Sequence, residues 1–276
     1  MSRVWMITGS AGGLGAGIAR AALVNGDQVV ATDLDVARLG QTYSSDQVMT
    51  AALDIRDEQQ AQTVVAAAIA RFGRIDVLVN NAGYGQFGPF EEVEPEAIER
   101  QFATNVFGTF NVTRAVLPVM RRQRSGHLVM MSSNGGFKGV RGASMYSASK
   151  FAIEGFSEAL AEEVAEFGIR LTLLEPGAFR TDFLDSRMLK LGTRGLEDYA
   201  EFRARTLAVF EARNHRQIGD PDRLGLAVVQ LAALAAPPLR FVAGSDAVSV
   251  VEAKLGQVHA DLERWRSLST STDFPQ

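Results

Sequence analysis

TGSAGGLGAG, residues 8–17, decides the fold. The stretch follows the apolar run RVWMIT at 3–8 and opens a helical pattern over about 14–25. Gly9, Gly13 and Gly15 let the backbone turn tightly and approach a bound group closely. The first turn of a helix has N–H groups without intrahelical partners and carries the positive end of the helix dipole. A strand, a glycine turn and a helix start together make a cradle for a pyrophosphate. QVVATD at 28–33 reads as the next strand and ends on Asp33, twenty residues after Gly13. A carboxylate there accepts hydrogen bonds from adenine ribose hydroxyls and repels a 2′-phosphate.

Beyond this unit, short apolar runs alternate with longer helical patterns. VMTAALD (48–54), IDVLVNNAG (75–83), GHLVMMSS (126–133) and IRLTLLEPG (169–177) read as strands, and LRFVAG (239–244) as a last edge strand. Helical patterns occupy about 57–72, 95–123 and 144–167. Nearly continuous apolar strands between helices predict an α/β fold: one doubly wound, Rossmann-like parallel sheet with helices on both faces. No linker, repeat or low-complexity stretch divides the chain. The expectation is a single domain over 1–276, with an irregular insertion at about 179–216.

Composition narrows the function. The chain has 276 residues, 46% hydrophobic and 22% charged, with net charge −4. No basic block points to nucleic acid. The absence of cysteine excludes disulfides, thiolate catalysis and cysteine metal sites, and suits a reducing, cytoplasmic setting. His127, His215 and His259 are far apart in sequence, so no metal site is expected. The N-terminus lacks an apolar signal core, and no apolar run reaches the roughly 20 residues of a membrane span.

MYSASKFAIEGF, residues 145–156, brings in chemistry. Tyr146 and Lys150 are four apart on a helical pattern, so they share a face. A phenol ordinarily loses its proton near pH 10. A neighbouring ammonium favours the phenolate, which makes such a tyrosine a candidate acid/base near neutrality.

With these features in place, the chain resembles the short-chain dehydrogenase/reductase family over about residues 4–182, close to its hydroxysteroid and retinol dehydrogenase-like branch. The family's TGxxxGxG motif appears as Thr8-Gly9 through Gly13 and Gly15, and NNAG as Asn80 to Gly83. YxxxK is Tyr146 and Lys150, with the serine thirteen residues earlier as Ser133. The helix asparagine is Asn105, and the PG motif with its following threonine is Pro176, Gly177 and Thr181. The resemblance implies hydride transfer between a nicotinamide cofactor and an alcohol or ketone. Its catalytic set would be Asn105, Ser133, Tyr146 and Lys150. Tyr146 would exchange the proton, Lys150 would lower its pKa and hold the nicotinamide ribose, Ser133 would bind the substrate oxygen, and Asn105 would position a water. Cofactor contacts would come from Gly9, Ser10, Gly13, Leu14, Gly15, Asp33, Asp54, Ile55, Asn81, Ala82, Gly83, Tyr146, Lys150, Pro176, Gly177, Phe179 and Thr181. Asp54 could instead cap the helix that starts near Arg56. Asn80 reads as a sheet brace, and Glu175 as either a pocket-tuning acid or a strand-end charge. The basic residues that mark NADP-preferring relatives are absent at Gly12 and Leu34, so NAD is favoured, with Arg38 keeping NADP open.

The segment after 178 carries Phe179, Phe183, Leu184, Met188, Leu191, Phe202 and Phe210, and in the resemblance it forms a substrate lid. Tyr84, Phe87, Phe137 and Val140 are expected at the same end of the sheet. An apolar substrate is the expectation, against a core or interface role for the same residues. Residues 245–268 read as an amphipathic helix capped by Ser245 or Asp246, placed over the sheet edge, the site or a partner subunit. Family members are commonly homodimers or homotetramers, packed through helices at about 100–123 and 144–167. Other readings are a dinucleotide-sensing regulator without catalysis, and a dehydratase or epimerase on the same fold.

Overall fold

A computed structural model describes residues 2–185 and 188–274. Positions 186 and 187 of the expected lid, and the chain ends, lie outside the described residues. In chain order the main elements are β1 Val4–Thr8, α1 Gly13–Val24, β2 Gln28–Asp33, α2 Val36–Thr42, β3 Val48–Ala52, α3 Glu58–Phe72, β4 Val77–Asn80 and β5 Gly85–Phe87. They continue with α4 Pro95–Phe102, α5 Thr109–Gln123, β6 Gly126–Met131, α6 Asn134–Phe137, α7 Ser144–Ala165, β7 Ile169–Pro176 and β8 Leu189–Leu191. The last are α8 Ala200–Arg213, α9 Pro221–Ala233, β9 Arg240–Ala243 and α10 Ser245–Thr270.

Seven strands form one parallel sheet in the order β3-β2-β1-β4-β6-β7-β9. Every residue of β1 (VWMIT) is buried, as is every residue of β4 and β6, because helices cover both faces. On one face Ile18, Ala22, Leu224 and Val228 of α1 and α9 pack on Trp5, Ile7 and Val29. On the other, Val64, Val112, Val116, Ile153 and Leu160 of α3, α5 and α7 pack on Met6, Leu78, Leu128 and Leu173. The chain runs outward from β1 through β2 to β3, then returns to place β4 on the other side of β1. That reversal opens a crevice at the carboxyl ends of β1 and β4, the position where such sheets bind ligands.

Three local features differ from the expected pattern. The helix foreseen over 95–123 is interrupted by a π-helical turn at Ala103–Gly108. The segment expected as a lid contains β8, which pairs in parallel with β5 outside the main sheet, and α8. Neither Ser245 nor Asp246 caps α10, whose N-cap is Gly244 without a side-chain hydrogen bond.

Candidate active site

The glycine turn is built as its composition requires. Gly9 has φ +65° and Gly13 φ +57°, both in the left-handed region. A Cβ on Gly15 would lie 2.4 Å from the Gly9 carbonyl oxygen, so no larger residue fits there. No side chain caps the first turn of α1, which leaves its N–H groups facing the crevice for an anionic group. Thr8 Oγ1 accepts hydrogen bonds from the N–H groups of Asn81 and Ala82, both at 3.0 Å. Asn81 Nδ2 donates to the Thr8 and Gly9 carbonyls at 2.9 Å. The NNAG stretch thereby clamps the glycine turn to the end of β4. Asn80 is buried and donates to Thr113 Oγ1 at 2.9 Å, a brace between β4 and α5.

Asp33 ends β2, with one carboxylate oxygen accepting from Ala11 N–H at 3.0 Å and the other from Asp35 N–H at 3.1 Å. Arg38, on α2, lies against Gly12: a Cβ there would come within 2.7 Å of its Nη2. Arg38 Nη2 donates to Asp182 Oδ2 at 2.8 Å. Asp54 instead pairs with Arg56, with Oδ1 to Nε at 2.9 Å, and this neighbour holds its carboxyl below the usual range. It does not cap α3; Asp57 does, accepting from Gln60 N–H at 3.0 Å. Ile55 is buried in the core behind α5, where a Cβ on Gly108 would meet it at 2.6 Å.

The other wall comes from β6, α6 and α7. Ser133 follows β6 and caps α6 by accepting from Gly135 N–H at 3.0 Å. Its hydroxyl donates to Asn134 Oδ1 at 3.1 Å, and the Tyr146 ring, in the first turn of α7, lies beside it: a Cβ on Gly135 would be 3.5 Å from Ser133 Oγ and 3.4 Å from Tyr146 Cε1. Lys150 follows one turn later, with Nζ 5.9 Å from the Tyr146 ring centre and donating to the Met131 carbonyl at 2.8 Å. Asn105 sits in the π turn. Its Nδ2 donates to the Tyr84 carbonyl at 3.0 Å and to Ser149 Oγ at 3.3 Å, while Oδ1 accepts from Tyr84 N–H at 3.1 Å. Ser149 Oγ in turn donates to the Tyr146 carbonyl at 2.7 Å. The expected four residues therefore converge, with Ser149 as a link that no spacing motif announces.

Electrostatics differ from the expectation in one respect. The Tyr146 phenol is held above its ordinary pKa because burial outweighs the opposing influence of the neighbouring Ser133 hydroxyl. Burial also lowers Lys150 to about 8, against the pull of Glu154 one turn on. The predicted lowering of the tyrosine by its lysine is thus not the dominant effect here.

Aromatic rings wall one side of Tyr146. Phe87 stacks on it with ring centres 5.6 Å apart, and Phe183 lies at 5.8 Å. Phe210 of α8 meets Phe87 edge-on at 5.2 Å. Of the other lid and loop residues, Leu196, Leu207 and Val140 are exposed, and Phe202 is taken by Arg141, whose guanidinium lies 4.6 Å from the ring centre.

Pro176 ends β7, and the loop after it carries Gly177, Phe179 and Thr181. Asp246 of α10 accepts from Ala178 N–H at 2.8 Å, and a Cβ on Gly177 would lie 2.2 Å from Asp246 Oδ1. The residue read as a helix cap is thus a prop for this loop. Phe179 is half-buried against the core on the α9 face and bridges to Gly219, while Thr181 lies over the glycine turn, 3.7 Å from a Cβ on Gly13. Behind Lys150, Glu154 and the fully buried Glu175 face one guanidinium. Arg240 Nη2 is 3.2 Å from Glu154 Oε2, and Nε is 3.3 Å from Glu175 Oε1. Burial first, then the nearby Glu154 carboxylate, pushes Glu175 up to about 7.

Comparison with known proteins places this geometry. The profile described as short chain dehydrogenase matches residues 3–191. Oxidoreductase BOA17 of Botryotinia fuckeliana is 37% identical over 279 residues, covering 99% of this chain and 100% of that protein. Retinol dehydrogenase 8 of Bos taurus is 37% identical over 225 residues, covering 77% of this chain and 71% of that protein. A solved short-chain dehydrogenase from Streptomyces avermitilis superposes with a TM-score of 0.90 at 38% identity, covering 99% of this chain and all of that one. A 3-ketoacyl-(acyl-carrier-protein) reductase from Brucella melitensis, complexed with NADH, gives 0.72 at 29% identity over 87% of this chain and 95% of its own. The chain is a member of the short-chain dehydrogenase family of oxidoreductases, which work with a nicotinamide cofactor.

Proposed function

We propose that this oxidoreductase interconverts an apolar alcohol and its ketone, with NAD favoured over NADP. The observation that carries the reading is the Ser133–Tyr146–Lys150 cluster, with the Tyr146 ring enclosed by Phe87 and Phe183. The fit of a nicotinamide dinucleotide rests on the uncapped first turn of α1, the close backbone packing at Gly15 and the acid at the end of β2. Gly9, Ser10, Gly13, Leu14 and Gly15 would hold the pyrophosphate, Asp33 the adenine ribose, and Asn81, Ala82 and Gly83 the floor of the groove. Pro176, Gly177 and Thr181 would hold the nicotinamide end. Asp54 and Ile55 have the weaker claim to the adenine, since one is tied to Arg56 and the other is core.

When bound, the cofactor would give a hydride to the carbonyl carbon in reduction, or accept one from the alcohol carbon in oxidation. The chain's own residues manage the proton. Ser133 Oγ orients the substrate oxygen beside the Tyr146 hydroxyl. A tyrosine held above its ordinary pKa is protonated at neutral pH, ready to donate to a carbonyl oxygen during reduction. Lys150, charged below about pH 8, stabilises the phenolate that results. Asn105 and Ser149 hold the start of α7 in register with the loop after β4, and the displaced backbone of the π turn gives a water a place to restore the proton. The aromatic rings exclude solvent and favour an apolar substrate body. A relative that is a retinol dehydrogenase supports that class. NAD is favoured by Asp33 and by the uncharged Gly12 and Leu34.

The test is nicotinamide absorbance during incubation with alcohols and ketones from small and polar to steroid-sized, with NAD(H) and NADP(H) in parallel. Rates that rise with apolar size and are higher with NAD(H) support the proposal. Saturable NADH binding without turnover of any compound overturns it.

A further inference from the structure

α10 is 26 residues long, about 39 Å at the usual rise, and only its first turns touch the rest of the protein. Ala247 is buried, and Val250, Val251 and Lys254 are half-buried, on the side that meets the body. Every residue from Leu255 to Phe274 is exposed. A lone helix of this kind is marginal in water, because helices draw most of their stability from packing an apolar face.

That apolar face has a definite period. Val248, Val251, Leu255, Val258, Leu262 and Trp265 follow one another at steps of three, four, three, four and three. This is the two-in-seven spacing of a helix that packs against another helix. Leu255, Val258, Leu262 and Trp265 are each 49–54% exposed. Glu252 and His259 flank the stripe on one side, Lys254 and Asp261 on the other. Neither Lys254 nor Asp261 has an ion-pair partner among the described residues.

We propose that α10 pairs with the same helix of a second copy of the chain, antiparallel about a two-fold axis between Leu255 and Val258. A two-fold contact is self-complementary, so the flanking charges select the register. With Leu255 opposite Val258 of the partner subunit, Lys254 faces Asp261 of the partner subunit, twice by symmetry. Glu252 faces His259 of the partner subunit, also twice. Sliding one helix by a heptad in one direction sets Asp261 against Asp261 of the partner subunit. Sliding it in the other direction sets Lys254 against Lys254 of the partner subunit and Glu252 against Glu252 of the partner subunit. Only the first register brings opposite charges together with no like pair. The antiparallel arrangement also puts the two catalytic bodies at opposite ends of the pair. A membrane surface is the poorer occupant. Four acids (Asp246, Glu252, Asp261, Glu263) outnumber three bases (Lys254, Arg264, Arg266) along α10, where a membrane-lying helix carries a basic polar face.

The pairing starts from the helix turn that supports the cofactor loop through Asp246 and Ala178. It does not depend on the substrate or on turnover, so its test stands apart from the test of activity. The full chain is followed by sedimentation equilibrium over a concentration series, alongside Lys254→Asp, Lys254→Asp with Asp261→Lys, and Leu262→Glu. Asp261 and Leu262 are on the exposed part of the helix and Lys254 is half-buried at its edge, so circular dichroism with NADH binding checks that each body is folded. The expected result is a self-association step weakened about tenfold or more by Lys254→Asp and by Leu262→Glu, and restored to within about threefold by the double charge swap. A wild type that does not self-associate, a Leu262→Glu variant with unchanged mass, or a double swap as weak as the single one overturns the proposal. So does flotation of the wild type on phosphatidylcholine–phosphatidylserine vesicles, lost in Leu262→Glu while the mass of both is the same.

Discussion

The Arg38 guanidinium and the Asp182 carboxylate meet at 2.8 Å, tying the helix after β2 to the first turn of the lid. Arg38 lies against the glycine turn, yet Asp182 first, then Asp33 and Asp35, surround it and favour its charged form. A guanidinium so matched is a poor partner for a 2′-phosphate. Asp182→Asn should therefore release Arg38 and raise kcat/KM with NADP relative to NAD by about 1.5- to 5-fold, the range of one surface-exposed charge contact. Asp33→Asn should shift the ratio in the same direction. Initial rates with both cofactors check this, and an unchanged ratio in both variants removes these acids from cofactor selection.

The aromatic wall makes a separate prediction. Phe87 and Phe183 contact the Tyr146 ring, and Phe210 backs Phe87. Phe183→Ala should cost about 10- to 100-fold in kcat/KM for large apolar substrates, as expected for loss of one ring that such a substrate would cover, and much less for small polar ones. A loss that is equal across substrate sizes would mean that Phe183 shapes the tyrosine and not the pocket.

Lys150 gives a pH signature. Burial lowers it to about 8, so its positive charge is lost as pH rises through that value. Tyr146, raised by the same burial, is still a protonated donor in that range. Carbonyl reduction should fall above about pH 8 in the kcat/KM profile, and Lys150→Arg, where it binds NADH normally, should carry the descending limb to higher pH. A profile with no descent in the wild type contradicts this assignment of the charge.

Glu175 gives a stability signature. Its folded pKa of about 7 is above the ordinary carboxyl value, so the protonated form is the one the fold favours. That stabilisation is complete below the unfolded pKa near 4 and is lost as pH rises through about 7. Glu175→Gln mimics the protonated group. Relative to wild type it should gain about 3 kcal/mol between acidic and alkaline pH, the scale of a shift of roughly 2.5 pKa units. Denaturant unfolding at pH values on either side of 7 measures the difference, and a constant offset between the two proteins contradicts the assignment.

The parts of this site that are legible in the sequence are those set by local spacing. Gly9, Gly13 and Gly15 declare a strand–turn–helix because backbone conformation demands them. Tyr146 and Lys150 declare a shared face because helix period alone places them. Asn105 is legible by position, while the π turn around it is not, since a shift from i+4 to i+5 bonding leaves no mark in composition. Asp246 reads as a cap because a carboxylate at a helix start usually is one, and its partner Ala178 is 68 residues away. The Arg38–Asp182 pair spans 144 residues and depends on how the lid folds back over the sheet. The direction of the Tyr146 shift fails for a related reason: the spacing shows the ammonium, but not the rings that bury the phenol.

The central claim is that Tyr146 carries the proton. The measurement that tests it most directly is single-turnover hydride transfer in Tyr146→Phe, beside NADH affinity by fluorescence titration. Removing one hydroxyl leaves the ring, its stacking on Phe87 and the cofactor groove in place. The account predicts NADH affinity within about threefold of wild type and a rate at least about 1,000-fold lower, the loss expected for a general acid. Hydride transfer within tenfold of wild type, with NADH bound normally, would contradict it.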